Sequence, residues 1–352
     1  MKFKFRNFGP IKEAELELRP LTLIAGKNQV GKTFINKAIY SILEPIPRYQ
    51  INFKYGAGNK FGAIPAKEIE SKFRWVFQQD RLGNLVNKFV ELKEALIEVE
   101  SEGGKGSFQL RISSNSIRKI AFNKDFFSPD IVMEKAIYIA TPIVLDIVSG
   151  IATYREFFKN NYGVPDIYWD IIRDIRNIGE ADIISFPEIY DKIKELIGGE
   201  FKYDKEVGFI FLKRNKKLNI SLAATGTKLL GLFQLLIKRD FLKQNSILIL
   251  EEPDAHLHPE LRFKLAELLV EFSNNGVNVV ISTHSPELVA YFRYALQRDI
   301  VDINNCSFLH LKSLDGLISA GISGNSSQVL DEIMMSLTED YFDLSIKEVF
   351  GS

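Results

Sequence analysis

The stretch Gly26-Lys27-Asn28-Gln29-Val30-Gly31-Lys32-Thr33 decides the fold. It is a complete phosphate-binding loop, a pattern in which backbone N–H groups surround a polyphosphate, Lys32 reaches the outer phosphates and Thr33 binds Mg²⁺. The apolar run 21–25 leads into it, and apolar residues at helical spacing follow it until Pro45. Strand, glycine loop and helix therefore occur in the order that places a helix N-terminus against the phosphates.

A second motif, far along the chain, supplies what the loop lacks. The apolar run Ile247-Leu248-Ile249-Leu250 is typical of a strand buried on both faces of a parallel sheet, and it ends in Glu251-Glu252-Pro253. A phosphate loop binds a triphosphate but provides no base. We expect Glu251 to hold the metal and Glu252 to orient or deprotonate the attacking water. The two motifs together predict a nucleoside triphosphatase, with ATP and Mg²⁺ as the expected ligands.

Histidines accompany these elements. The next predicted strand, 277–282, ends at Thr283-His284-Ser285, so His284 is placed to hydrogen-bond the γ-phosphate or the attacking water. His256 and His258 together with His284 also raise the alternative of a zinc site. Cysteine ligands and a helical His-x-x-x-His spacing are missing from these motifs, which argues against zinc.

A threonine-rich segment, Thr225-Gly226-Thr227, precedes an apolar helical pattern. Two interpretations remain open from the local sequence. A threonine at the helix N-cap would satisfy unpaired N–H donors. Alternatively, the same donors would bind a phosphate of another molecule's ATP.

Composition limits the classes of protein. The 352 residues carry 45 basic and 45 acidic side chains, so DNA binding would need a local patch. The single cysteine, Cys306, excludes an internal disulfide and fits a reducing cytosol. The N-terminus has no apolar stretch typical of a signal peptide. The apolar segment 137–154 is interrupted by Pro142 and Asp146, which favours a buried strand and helix over a membrane span. We therefore expect a cytoplasmic protein without a membrane segment.

The remaining patterns predict an α/β fold. Residues 1–18 alternate as two half-buried strands, 66–89 look helical and 95–112 form a hairpin. A second hairpin, 207–222, carries a basic tip that is either a solvated turn or a contact for nucleic-acid phosphates. The predicted unit is a single domain, 1–352, assembled from 1–142 and 200–352, with an inserted helical lobe at 143–199.

The order of motifs resembles the ABC-type ATPases of the RecF, chromosome-maintenance (SMC) and OLD (overcoming lysogenization defect) group, with the OLD-like subset closest. The segments that carry the resemblance are 7–11 with the loop, 250–259 and 281–286. It implies an ABC-type head with N-terminal antiparallel strands and a mainly parallel core sheet. Residues 224–228 fall where that group has its signature loop, with Thr225-Gly226 in place of Ser-Gly.

Two further assignments follow from the same resemblance, and a third, for the base, is made without it. Glu251 replaces the aspartate common at the metal position. Gln78 and Gln79 are candidates for the glutamine loop that links the metal to the helical lobe. No base-reading residue stands out, and Phe8 is the candidate contact for adenine.

The resemblance also implies a way of working. Such ATPases bind ATP between two head-to-tail copies, and the signature loop of one copy covers the γ-phosphate held by the other. The stretch after Pro286 is too short for the nuclease domain of OLD nucleases. We therefore expect an ATP-dependent homodimer that controls a separate effector, such as a nuclease or toxin, and the resemblance implies a role in prokaryotic anti-phage defence. The alternatives are a RecF-like DNA-binding repair factor and an ATP-bound scaffold that does not hydrolyse ATP.

Overall fold

Strands and helices alternate along most of the chain. The structure is a computed structural model that describes residues 1–47, 63–113, 117–123, 126, 134–157, 163–177, 179, 181, 183–204, 208–255, 257–314, 317–324 and 326–350. The strands are Lys2–Phe8 (β1), Ile11–Glu17 (β2), Leu21–Ala25 (β3), Glu94–Glu100 (β4), Ser107–Ser113 (β5), Ile117–Phe122 (β6), Ala136–Ile139 (β7), Glu200–Asp204 (β8), Gly208–Lys213 (β9), Lys216–Asn219 (β10), Ile247–Glu251 (β11), Asn278–Thr283 (β12), Cys306–Leu314 (β13) and Leu317–Gly324 (β14). The α-helices are Lys32–Leu43 (α1), Ala63–Phe77 (α2), Val148–Phe157 (α3), Asp166–Asn177 (α4), Pro187–Ile197 (α5), Thr225–Lys238 (α6), Pro259–Asn274 (α7), Pro286–Gln297 (α8) and Ser327–Phe350 (α9).

One large sheet organises the fold. Its eleven strands follow the order β6-β5-β4-β1-β2-β14-β13-β3-β12-β11-β7. The run from β13 to β7 is parallel throughout, whereas the run from β6 to β2 is antiparallel. The predicted combination of N-terminal antiparallel strands and a mainly parallel core sheet is therefore confirmed.

The core strands are apolar on both faces because helices cover both. Alternate residues of β3 enter different hydrophobic clusters: Leu23 joins one and Ile24 the other. In β11 the same alternation separates Leu248 from Ile249. Residues of α1 and α2 complete one cluster, and residues of α6, α7 and α8 complete the other. The sheet thus lies between two helical layers, as expected for the predicted α/β class.

The region 143–199 contains α3, α4 and α5. Its buried residues Ile172 and Ile193 belong to the same cluster as Leu248 of the core sheet. The helices of this region therefore share the core of the sheet. Residues 158–162, 178, 180 and 182 lie outside the described part, and the boundaries of an inserted lobe at 143–199 stay a prediction.

The apolar segment 137–154 forms the end of β7, a short 3₁₀ turn and the start of α3. Asp146 accepts hydrogen bonds from Lys228 Nζ at 2.7 and 2.8 Å, so its charge is paired with the start of α6. Within the described ranges, none of the helices is long and apolar enough to cross a membrane.

Two local predictions are wrong. The helix predicted over 66–89 ends at Phe77, because Gln78 adopts a left-handed backbone with φ of 55°. The second strand of the 207–222 hairpin ends at Asn219, where its side chain accepts a hydrogen bond from Ser221 N and starts a 3₁₀ turn. At the basic tip of this hairpin, Lys217 pairs with Asp204 at 3.0 Å.

Candidate active site

The phosphate loop connects β3 to α1, as the sequence predicts. Gly26 and Gly31 have φ of 156° and 83°. A Cβ at Gly26 would lie 2.5 Å from the carbonyl oxygen of Leu311, and one at Gly31 would lie 3.0 Å from Pro10 Cγ. Both the backbone conformation and the space therefore require glycine at these two positions.

The N-terminus of α1 is available to an anion. Its N-cap, Gly31, has no side chain with which to cap the helix, and its first turn contains no acidic residue. Lys32 is 6% exposed, and its Nζ donates hydrogen bonds to the carbonyl oxygens of Gly26 at 2.8 Å and Lys27 at 3.0 Å. The ammonium group is thus held at the mouth of the loop, beside a helix end that attracts negative charge.

Glu252 and His284 follow two neighbouring parallel strands. Glu251 of β11 pairs in register with Ser282 of β12, so both strands end at the same edge of the sheet. Glu252 then turns back with φ of 41° and donates its N–H to Ser282 O at 2.9 Å. This turn brings Glu252 Oε1 to 3.1 Å from His284 Nδ1 and to 3.7 Å from Lys32 Nζ. The structure therefore brings the three predicted catalytic side chains together.

Burial lowers the pKa of the Lys32 ammonium, and the negative charges of Glu252 and Glu251 act against that shift. The ammonium donates to neutral loop carbonyls, and a triphosphate would offer it stronger hydrogen bonds between opposite charges.

Glu251 and Thr33 fit a magnesium ion. Burial raises the pKa of the Glu251 carboxyl, while the Thr33 and Tyr138 hydroxyls and the Lys37 ammonium favour its charged form. Glu251 Oε1 is buried and has no hydrogen-bond partner among the described residues. A buried carboxylate oxygen without a partner is costly, and oxygen atoms of this type are the ligands that Mg²⁺ prefers. Thr33 and Glu251 line the same cavity of about 300 Å³, so the residues fit the ion.

The zinc alternative rests partly on His256, which lies outside the described residues. In the described ranges, no three His, Cys, Asp or Glu side chains are grouped as metal ligands.

Several supporting residues have no clear signal in the sequence. Thr283 Oγ1 donates to Asp254 Oδ1 at 3.1 Å and accepts from Ser285 N at 2.9 Å, which fixes the turn after β12 against the turn after β11. Asn36 Nδ2 of α1 donates to Ser282 Oγ at 2.9 Å. Asp254 could have been noticed from its position just after the two glutamates, but the partners of Asn36 depend on long-range packing.

The threonine segment starts α6 without capping it. The N-cap is Ala224, and no side chain of the described residues caps this helix. The N-cap interpretation of the threonines is therefore wrong, because the helix begins at Thr225 itself and the N-cap position falls on Ala224. Thr225 lines the 300 Å³ cavity together with Glu251 and Glu252. A Cβ at Gly226 would lie 2.5 Å from Leu257 Cδ2, so glycine permits close packing beside the turn that follows Glu252. Binding of another molecule's ATP by 225–227 stays a prediction.

Three minor candidates are placed as follows. Phe8 is fully buried, with its ring 5.7 Å from that of Phe77, so its expected contact with adenine is wrong. Gln78 Oε1 accepts a hydrogen bond from Gly163 N, which does connect it to the helical region. Gln79 Oε1 accepts from Asn84 Nδ2 at 2.9 Å. Neither glutamine lines the cavities at the phosphate loop.

A phosphate loop between a parallel strand and a helix, facing carboxylates at the end of another parallel strand, defines a P-loop nucleotide-binding fold of the ABC type. Residues 21–290 match the family described as "AAA domain, putative AbiEii toxin, Type IV TA system". The match covers more than half of the chain, so the chain belongs to this family. No curated protein matches it.

Solved structures agree on the fold. An Smc head domain with an extended coiled coil, bound to the C-terminal domain of ScpA and derived from Pyrococcus furiosus, is 14% identical with a TM-score of 0.51; the alignment covers 97% of this chain and 98% of that chain. An Smc head bound to the C-winged helix domain of ScpA is 15% identical, also with a TM-score of 0.51, and the alignment covers 94% and 98% of the two chains. This likeness confirms the ABC-type head predicted from the sequence.

Proposed function

We propose that the chain is a Mg²⁺-dependent ATPase that converts ATP to ADP and phosphate. The position of Glu252 carries this proposal. Its Oε1 lies 3.7 Å from the amine that would hold the outer phosphates and 3.1 Å from the His284 ring. A carboxylate beside the bound γ-phosphate can accept a proton from an attacking water or orient that water.

Each residue has a defined part in this reaction. The loop N–H groups and Lys32 bind the β- and γ-phosphates. Thr33 and Glu251 would hold Mg²⁺, which neutralises phosphate charge when it is bound. Glu252 acts on the water, and His284 holds the Glu252 carboxylate in place. The turn at Glu252, with φ of 41°, is the feature that aims this side chain at the loop.

Steady-state phosphate release tests the proposal. Wild type should hydrolyse ATP only with Mg²⁺, and Lys32→Ala should lose at least about 10²-fold in activity because the amine binds the charge that develops on the transferred phosphoryl group. Wild type that binds ATP but releases no phosphate would favour a non-hydrolysing scaffold and contradict the proposal.

We further propose that ATP closes a head-to-tail homodimer and thereby switches a separate effector in the cytoplasm. The N-terminus of α6, which no side chain of the described residues caps, supports a phosphate contact from this helix. The description of the family, with its toxin and TA system, supports a defence role. Co-purification with the products of neighbouring genes would identify the effector, such as a nuclease or toxin.

The same description favours a second candidate, in which the chain itself is the growth-inhibiting component. Expression of the chain alone in a bacterial host separates the two. Growth arrest by wild type but not by Lys32→Ala would favour a toxin that needs its nucleotide. Normal growth would favour a switch that acts through an effector.

A further inference from the structure

A second cavity, of about 510 Å³, opens beside the phosphate loop. Its lining includes Gly31, Lys32 and Thr33 of the loop and the apolar side chains of Pro10, Val86 and Phe89. The loop residues offer N–H groups and a cation, whereas the other three offer apolar surface. A ligand that suits both carries a polyphosphate and a flat apolar ring.

Backbone hydrogen bonds join the segment that carries Val86 and Phe89 to the turn between β1 and β2. Gly9 N donates to Leu85 O at 2.6 Å, and Asn87 N donates to Asn7 O at 2.8 Å. Between these bonds, Val86 forms a bridge with Phe8. The apolar surface at Val86 is therefore already in place before a ligand binds, which reduces the entropy lost on binding.

Phe89 stands at the rim of this cavity. Its N–H donates to Asn87 Oδ1 at 2.9 Å, an Asx turn that fixes the backbone where the ring leaves the surface. The residue is 82% exposed. Single exposed apolar side chains are common and need no explanation. This ring, however, borders a cavity that the phosphate loop also lines.

We infer that Phe89 is the stacking platform for the base of the bound nucleotide, and that the site prefers purine nucleotides. The inference rests on the proposed function, because it requires a nucleotide on the phosphate loop. Aromatic stacking accepts every base and grows with the size of the ring system. Phe89 therefore selects purines over pyrimidines, without distinguishing adenine from guanine.

Equilibrium titration tests the inference with three probes: ATP, CTP and inorganic tripolyphosphate. Phe89→Ala should weaken ATP binding about tenfold, the scale of one base–aromatic stack. It should leave tripolyphosphate binding unchanged and reduce the preference for ATP over CTP. Phe89→Tyr should restore ATP binding. Phe157→Ala, at a similarly exposed phenylalanine on α3 that is 76% exposed, serves as the matched control and should bind like wild type.

The outcomes separate the inference from the proposed function. Equal ATP affinity of wild type and Phe89→Ala would overturn the inference alone, and so would equal losses for ATP and tripolyphosphate. Wild type that binds none of the three probes would overturn the proposed nucleotide site as well.

Discussion

The Oε1 atom of Glu252 lies 3.1 Å from Nδ1 of His284. The contact joins the ends of β11 and β12, whose parallel register pairs Glu251 with Ser282. Because the same Oε1 is 3.7 Å from Lys32 Nζ, one oxygen atom connects both strand ends to the phosphate loop. The loop and the carboxylate turn are therefore parts of a single arrangement.

The first prediction concerns this pair. His284→Ala should lower turnover by roughly 10–10²-fold, because Glu252 loses the partner that orients it. In a Glu252→Gln background, the same change should cost much less, since residues that act as a unit are not additive. A double-mutant cycle on the turnover rate measures the coupling. Fully additive losses would show that His284 acts independently of Glu252.

The second prediction concerns the metal. Glu251→Gln should weaken Mn²⁺ binding, used as a probe for Mg²⁺, by at least about tenfold, because an amide does not replace a carboxylate ligand. Burial raises the pKa of the Glu251 carboxyl, so acid should weaken Mn²⁺ binding to wild type at a higher pH than for an ordinary glutamate. Electron paramagnetic resonance of Mn²⁺ in the presence of ATP measures both effects. The exposed Glu91→Gln is the control, and equal Mn²⁺ affinity of both variants would remove Glu251 from the metal site.

The third prediction concerns the proposed dimer. Thr225→Glu places a negative charge at the N-terminus of α6. This charge stabilises the helix, so the variant should fold, but it repels a phosphate, so ATPase activity should be lost. If the site is shared between two copies, mixing Thr225→Glu with Lys32→Ala should rebuild one intact site in each mixed dimer. Activity should then return to roughly a quarter of the wild-type level.

Two further observations decide the third prediction. Ser221→Glu, at an exposed position just before the helix, should remain active and serves as the charge control. An inactive mixture would indicate that Thr225 serves the site of its own chain, whose cavity it lines.

The fourth prediction concerns His310. It is fully buried on β13, next to Ala25 of β3, and neither ring nitrogen finds a hydrogen-bond partner in the described part of the chain. Burial lowers its pKa from 6.5 to about 4, with Lys312 acting in the same direction and Glu332 against it. As the pH falls, His310 is therefore protonated in the unfolded chain at a higher pH than in the folded protein. The free energy of unfolding decreases as the pH falls between these two values.

His310→Leu should remove this loss. The free energy of unfolding of the variant minus that of wild type should increase by about 1–3 kcal/mol as the pH falls from about 7 to about 4. Urea denaturation at several pH values measures the difference, and His258→Gln is the exposed-histidine control. A difference that does not change with pH would mean that His310 binds its proton equally well in the folded and the unfolded protein, and would contradict the prediction.

The sequence predicts the phosphate loop, the carboxylate strand and the paired β-strands well because each is a local pattern. It also places His284 near Glu252, since parallel strands end at one edge of a sheet. Phe8 shows where local patterns fail. Asn7 adopts φ of 53°, which breaks the alternation of β1 and turns Phe8 back toward Phe5 and the core.

Other features depend on contacts between distant segments. Tyr138 is near Glu251 because β7 pairs with β11, a neighbour relation that periodicity does not reveal. The docking of residues 82–89 onto the β1–β2 turn is also long-range, so the exposed ring of Phe89 could not be assigned to the loop from the sequence. The first residue of α6 is Thr225, a boundary that the local pattern does not define, and it decides against the N-cap interpretation of the threonines.

The fifth prediction tests the central claim, that Glu252 is the residue that makes the phosphate loop hydrolytic. Single-turnover ATP hydrolysis by Glu252→Gln, with Mg²⁺ and saturating enzyme, is the most direct measurement, and the exposed Glu260→Gln is its control. The account predicts that Glu252→Gln binds ATP like wild type and hydrolyses it about 10²–10⁴-fold more slowly. Hydrolysis at the wild-type rate would contradict the account.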